Sequence, residues 1–236
     1  EAFITQKMKA HLQALGLSVD TLNPLDLRLR TWFNPTLEAR IDIIPGLISM
    51  ILAFPGISVA LSLSREREHG TLEQLLATPI KRGELLLGKI IPYIIVGLID
   101  VPLTTLLAKY WFNVPFNGNF WLYMALSATF FFALLSMEML VGVFIPSQAA
   151  SLAVSFLLVF FPGFFLTGIF FPLVSMPDIA RIEAMALPGT HYGFITRGAF
   201  VTGAGLEILW PYGLALVGMG ILFTVIGAVF FKKKLG

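Results

Sequence analysis

The sequence predicts an all-α polytopic membrane protein, and two observations carry that prediction. The first is composition: of 236 residues, 57% are hydrophobic and 13% are charged, against about 45–50% and about 25% in soluble domains. The second is arrangement. The apolar residues come in long unbroken blocks, and a hydrocarbon core about 30 Å thick needs roughly 20 of them in a row to be crossed by a helix.

Residues 1–40 are the least hydrophobic segment. Ile4, Met8, Leu12 and Leu15 recur at helical spacing, and Gly16 is a plausible stop. Leu25, Leu27 and Leu29 alternate with Asp26, Arg28 and Arg30, the period of a half-buried strand. Trp32-Phe33-Asn34-Pro35 reads as a turn near a membrane surface, where Trp is favoured. Together these residues look like the end of a small extramembrane α+β domain. The chain begins at Glu1 with no signal peptide pattern, so that domain reads as one met midway.

Five spans are expected next: about Ile41–Leu63, Leu85–Leu107, Phe120–Ile145, Ala149–Phe171 and Ile208–Phe231. Pro55, Pro92, Pro102 and Pro162 fall inside them, which membrane helices tolerate where neighbours re-satisfy the backbone. Between the last two spans, Pro177 and Asp178 open a short helix to about Ala186, stopped by Pro188-Gly189. Tyr192–Val201 is a second apolar piece too short to cross. Both read as external helices dipping partly into the membrane; the alternative is a loop lying flat on its surface.

Charge sets the orientation. The first inter-span loop holds Arg65, Arg67, Lys81 and Arg82, and the chain ends Lys232-Lys233-Lys234. The opposite short loop, Tyr110–Asn119, adds nothing to Lys109. Positive residues collect on the cytoplasmic side. The first loop and the C-terminus are therefore expected there, with residues 1–40 external. The net charge of +2 comes without a basic stripe interleaved with aromatics, so nucleic acid is not an expected partner; membrane lipid is. There is no cysteine, and hence no disulfide framework or thiolate metal site.

The segment richest in function is Arg65 to Pro79. Gly70 permits a sharp exit from the first span. Thr71 and Gln74 have the form of a capping box opening a new helix. Leu72, Leu75 and Leu76 make one apolar face, with Glu73 and Gln74 off it, and Pro79 limits the far end. Such a helix suits a groove on a soluble partner, whose motion would then move both attached spans. The competing reading is an interfacial helix resting on lipid headgroups, which Glu66, Glu68 and Glu73 disfavour.

This stretch resembles the signature of the ABC-2 type family of ATP-binding-cassette transporter permeases. The surrounding order fits too: Phe33-Asn34-Pro35, Pro45-Gly46-Leu47, Pro188 with His191, and Gly203-Ala204-Gly205-Leu206-Glu207. The resemblance covers nearly the whole chain. It implies six spans per subunit, of which this chain holds the second to sixth, with residues 1–40 ending an external domain and 41–236 forming the transmembrane domain. It implies that Arg65, Glu66, Arg67, Glu68, Gly70, Thr71, Leu72, Glu73, Leu75, Leu76 and Pro79 join the permease to a cytoplasmic ATPase, with a coupling helix over about 70–78. Glu66 and Glu68 would pair with basic residues of that ATPase, and Glu73, Leu75 and Leu76 would occupy its groove. Two permease halves, identical or not, and two ATPase subunits would form the exporter. ATP and Mg would bind the partner and no cofactor this chain, which carries no phosphate-binding Gly-x-x-x-x-Gly-Lys-Ser/Thr loop.

Three carboxylates fall in predicted spans, where ionisable groups are costly and often functional. Asp42 is expected at the interface. Asp100 and Glu138 are candidates for a substrate path or subunit contact, Glu138 the stronger; its bland reading is a glutamate bonded to a neighbouring helix. The abundant phenylalanines, among them Phe130–Phe132, Phe160-Phe161, Phe164-Phe165 and Phe170-Phe171, would suit an aromatic path for an apolar substrate, but most of them read as lipid-facing packing. His191 has no second ligand at metal spacing and reads as structural. No HExxH or GxSxG motif anchors a hydrolase. Two further functions fit the same residues: an ion-coupled transporter using Asp100 and Glu138, and a non-transporting anchor that recruits an ATPase.

Overall fold

The computed structural model describes residues 38–71, 74, 82–165 and 175–230. The predicted strand at 25–30, the leucines of 72–79, the end of the fourth predicted span and the terminal lysines lie outside them. The described residues are all-α: α1 (Ala39–Ile51), α2 (Phe54–Glu68), α3 (Arg82–Tyr110), α4 (Phe120–Phe144), α5 (Gln148–Phe165), α6 (Asp178–Met185), α7 (Pro188–Arg197) with a π turn at Gly198–Thr202, and α8 (Leu206–Phe230). Four stretches are long and apolar enough to cross a membrane: α1 with α2 over Ala39–Glu68, then Gly83–Tyr110, Phe120–Phe144 and Leu206–Phe230. The fourth predicted span is helical over α5, whose described apolar part is shorter.

Three sequence expectations need correction. The first span does not stop at Leu63; α2 runs on to Glu68, so Arg65–Glu68 is helix and not loop. Arg65 and Arg67 lie in its last turn, where cations favour the C-terminal dipole. The second short piece does not begin at Tyr192: α7 starts at Pro188, at a position where its missing N–H costs nothing, while α6 ends at Met185, ahead of Pro188-Gly189 as expected. Phe130 and Phe131 do not face lipid, for both are wholly buried.

The centre of the bundle is α4. It is apolar on every side, as a helix surrounded by others must be, and it contacts α2, α3, α5, α7 and α8. Asn119 caps its start, the side-chain oxygen accepting from the backbone N–H of Trp121 at 2.9 Å and Leu122 at 3.2 Å. Phe132 seats against Gly220 of α8, and Leu126 against Gly213. The small residues of α8 thus admit α4 side chains, close packing of the kind membrane helices depend on.

The insertion between α5 and α8 is not a flat loop. Tyr192 of α7 is fully buried, stacked on Phe130 at 4.0 Å, and its hydroxyl meets Ser127 at 2.7 Å and Tyr123 at 3.0 Å. These bonds satisfy polar groups that would otherwise be orphaned in the interior. Of the two predicted short helices, α7 is therefore built into the bundle, while α6 is largely exposed and packs against α7.

Helices α2 and α4 approach closely at Gly142. A Cβ there would stand 2.8 Å from Leu63 Cβ and 2.9 Å from the Ala60 carbonyl oxygen. Gly142→Ala must push the two backbones apart. It is expected to cost roughly 1–3 kcal/mol, the usual penalty of overpacking, read as lower thermal stability in detergent.

Candidate functional site

The predicted coupling segment begins on the last turn of α2, and its four charged residues divide by helical phase. Ala60, Leu63 and Ser64 are buried. Arg67, three or four residues further on, continues that face, while Arg65 and Glu68 are exposed.

Arg67 reaches the C-terminal end of α4. Its guanidinium donates to the Val143 carbonyl and, at 3.4 Å, to that of Gly142. The last carbonyls of a helix have no intrahelical partner, and a cation there also meets the negative end of the helix dipole. Glu68 acts at the opposite kind of helix end: its carboxylate accepts the Gln148 backbone N–H at 3.0 Å, at the first residue of α5. Ser64 holds the chain between. Its hydroxyl donates to the Ile145 carbonyl at 2.9 Å and lies 2.5 Å from the Ser151 hydroxyl. Pro146 follows Ile145 and cannot continue α4. One turn of α2 therefore fastens the end of α4, the start of α5 and the corner between them.

Glu66 points elsewhere. Its carboxylate pairs with Lys89 of α3 at 2.5 Å, both side chains part-buried. The Thr71 hydroxyl donates back to the Glu66 carbonyl at 3.3 Å, and Gly70 makes the exit from α2 at φ +71°, a backbone shape that suits glycine. Leu72, Glu73, Leu75, Leu76 and Pro79 lie outside the described residues. Among the described ones, Glu66 and Glu68 have partners within this chain, whereas Arg65 faces outward. Sequence reading missed Ser64, Lys89, Gly142 and the inward face of Arg67. The i, i+3/i+4, i+7 phase running through Ala60, Leu63, Ser64 and Arg67 was the available signal.

The intramembrane carboxylates are far from equivalent. Asp42 is exposed near the start of α1 and acts electrostatically on Arg197 of α7. Asp100 is half-buried on α3, with no partner for its carboxylate among the described residues. Glu138 is wholly buried on α4, and neither oxygen has a hydrogen-bond partner among the described residues. The Ser155 hydroxyl of α5 faces it without completing a bond. The Glu138 stem lies in the notch of Gly56 on α2, where a Cβ would stand 3.0 Å from its Cγ. Glu138 and Asp100 are not brought together.

His191 takes a structural place, Nε2 lying 2.8 Å from the Met185 carbonyl oxygen. No group of metal-ligating side chains occurs among the described residues.

Residues 1–229 match the family model described as ABC-2 family transporter protein. Among curated relatives, the probable multidrug ABC transporter permease YbhS of Escherichia coli is 32% identical over 216 residues, 91% of this chain and 57% of its own. The inner membrane transport permease YhhJ of Escherichia coli is 33% identical over 220 residues, 92% of this chain and 59% of its own. ABC transporter G family member 20 of Dictyostelium discoideum is 26% identical over 235 residues, 94% of this chain and 32% of its own. The chain spans little more than half the length of the two bacterial relatives.

Proposed function

The chain belongs to the ABC-2 family of transporter proteins, and on that premise we propose that it is the membrane-spanning permease part of an ATP-driven exporter. The observation that carries this reading is the fastening of α4 and α5 to the last turn of α2, the turn that leads into the 70–78 segment. A partner that moves this segment moves three spans together.

In this reading the segment lies in the cytoplasm. The face made by Leu72, Leu75 and Leu76 sits in a groove of an ABC ATPase, flanked by Glu73 and ended by Pro79. Arg65, exposed on α2, is the charged residue of the turn left to meet that partner. ATP and Mg bind the ATPase, and closure of two ATPase subunits drives two permease halves to open outward. The name of the relative YbhS supports transport of drug-like compounds, and a lipid-like cargo suits the same apolar bundle.

The test is co-purification of the full-length protein with its ATPase from solubilised membranes. Wild type is expected to bring the ATPase down. Leu75→Asp/Leu76→Asp is expected to lose it, because two buried leucine anchors contribute about 1.5–3 kcal/mol each. A well-folded wild type that retains no ATPase under several mild conditions would sink the proposal. An ATPase that binds without any flux would instead favour the anchor reading. The second reading with an observation behind it is ion-coupled transport, which draws on the unpartnered Glu138 carboxylate.

A further inference from the structure

We propose that a groove at the α3–α4 end of the bundle binds an anionic phospholipid, with its phosphate on Lys109 and an acyl chain laid along α3. The proposal needs only that the chain spans a membrane, and stands apart from any ATPase.

The groove has a volume of about 390 Å³ and is formed by Pro102, Thr105, Leu106, Lys109, Phe116 and Phe120, with Tyr110 beside them. Its wall is firm. Phe116 meets Phe120 edge-on at 6.4 Å and is held from behind by Phe200 at 5.0 Å and Tyr123 at 5.8 Å. The lining is nearly all apolar. The Thr105 hydroxyl is already committed to the Val101 carbonyl at 2.7 Å, which leaves the Lys109 ammonium as the group able to recognise a charged ligand.

Position along the bilayer follows from the aromatics. Tyr110, Trp111 and Trp121 are exposed by 72%, 77% and 77%, and tyrosine and tryptophan so placed mark the headgroup level. Lys109 is at that level. Pro102 lies seven residues below it, about 10 Å deeper at helical rise. The groove thus runs from the headgroups into the hydrocarbon. Below it, Ile91, Ile95, Ile99 and Leu103 form an exposed stripe on the same helix, a path for the rest of a chain.

Charge selects the occupant. The salt bridges among the described residues join Arg40 to Glu38, Lys89 to Glu66 and Arg181 to Asp178. Among the described residues Lys109 has no carboxylate partner, its neighbour being the Tyr110 ring at 5.8 Å. An ammonium offers three donors to a phosphate. A soluble anion has no use for the apolar groove, and a zwitterionic lipid brings a phosphate already neutralised by its own ammonium. A lipid with a net negative headgroup uses both.

Phosphatidylglycerol and phosphatidylcholine, both brominated on the same acyl chain, would be titrated against the tryptophan fluorescence of the purified full-length protein. Trp111 and Trp121 flank the groove and report on it. Phosphatidylglycerol is expected to quench with about fivefold higher relative affinity, the worth of one lysine near an anionic surface. The preference should fall to parity in Lys109→Gln and persist in Lys109→Arg. Both changes are at an exposed side chain, so the fold should hold. Equal quenching by the two lipids in wild type would mean an ordinary lipid annulus and overturn the proposal. So would a preference that survives Lys109→Gln, or tryptophans shielded from both lipids by a second copy of the chain.

Discussion

Replacing Arg67 with methionine is expected to destabilise the protein and to break the link between the proposed ATPase and the spans. Methionine keeps the apolar stem but removes the guanidinium, and the Val143 and Gly142 carbonyls lose their donor. A bond from a charged donor contributes about 1.5–3 kcal/mol. The long contact to Gly142 counts for less, so roughly 3 kcal/mol is the expected loss, seen in thermal or denaturant unfolding. Arg65→Met on the exposed side of the same turn is the control. It should stay within about 0.5 kcal/mol. Arg67→Lys should fall between them, because a point charge reaches one carbonyl better than two.

The functional part of that prediction is the larger. Leu75 and Leu76 are unchanged in Arg67→Met, so ATPase co-purification should persist. Movement of the segment would then reach α2, and through Glu68 the start of α5, but pass poorly to α4. ATP hydrolysis without flux, with efflux down tenfold or more, is the expected outcome; tenfold corresponds to about 1.4 kcal/mol at the transition state. Full efflux at lowered stability would reduce the Arg67 bonds to structural glue. Gly142→Ala tests the same junction from the other side, since separating α2 from α4 also draws Arg67 from its carbonyls.

Much of this was legible in the sequence, for reasons that differ by element. The spans at α3, α4 and α8 follow from apolar runs, and bilayer thickness fixes their length whatever their neighbours do. The start of α7 was misread because Pro188-Gly189 is compatible with either end of a helix. The end of α2 was misread because charge was taken as a sign of loop. Yet Arg and Glu are good helix formers, and carboxylate and guanidinium here fasten helix ends, a tertiary role that composition does not carry. Phe130 and Phe131 were assigned to lipid because hydropathy alone does not separate lipid from a protein interior of the same polarity. The stack with Tyr192 comes from a residue more than sixty positions away. Glu138 was singled out by cost, and cost is what remains visible in the fold.

Glu138→Met is expected to stabilise the protein and to impair transport. The wild-type carboxyl is wholly buried on α4, with no hydrogen bond to either oxygen from the described residues. An unsatisfied buried polar group costs about 1–3 kcal/mol, more when charged, and replacing it by an apolar side chain of like size recovers that cost. Methionine is unbranched and adapts to the Gly56 notch that now holds the Glu138 stem. A gain of about 1–3 kcal/mol in unfolding free energy is therefore expected. A residue placed at such a cost inside a membrane points to function, and α2 meets it one helical turn from the Gly142 contact. Any slide of α2 along α4 passes the carboxyl. Glu138→Gln separates the remaining mechanisms, because it keeps a polar group facing Ser155 but cannot ionise. ATP-driven efflux that survives Glu138→Gln and fails in Glu138→Met would make the group a polar contact of the moving helices. Loss of gradient-driven flux in Glu138→Gln, in membranes without the ATPase, would instead support ion coupling. Unchanged flux in both variants, with methionine the more stable, would leave Glu138 a passive residue and remove the sole buried carboxylate of the described bundle from the transport mechanism.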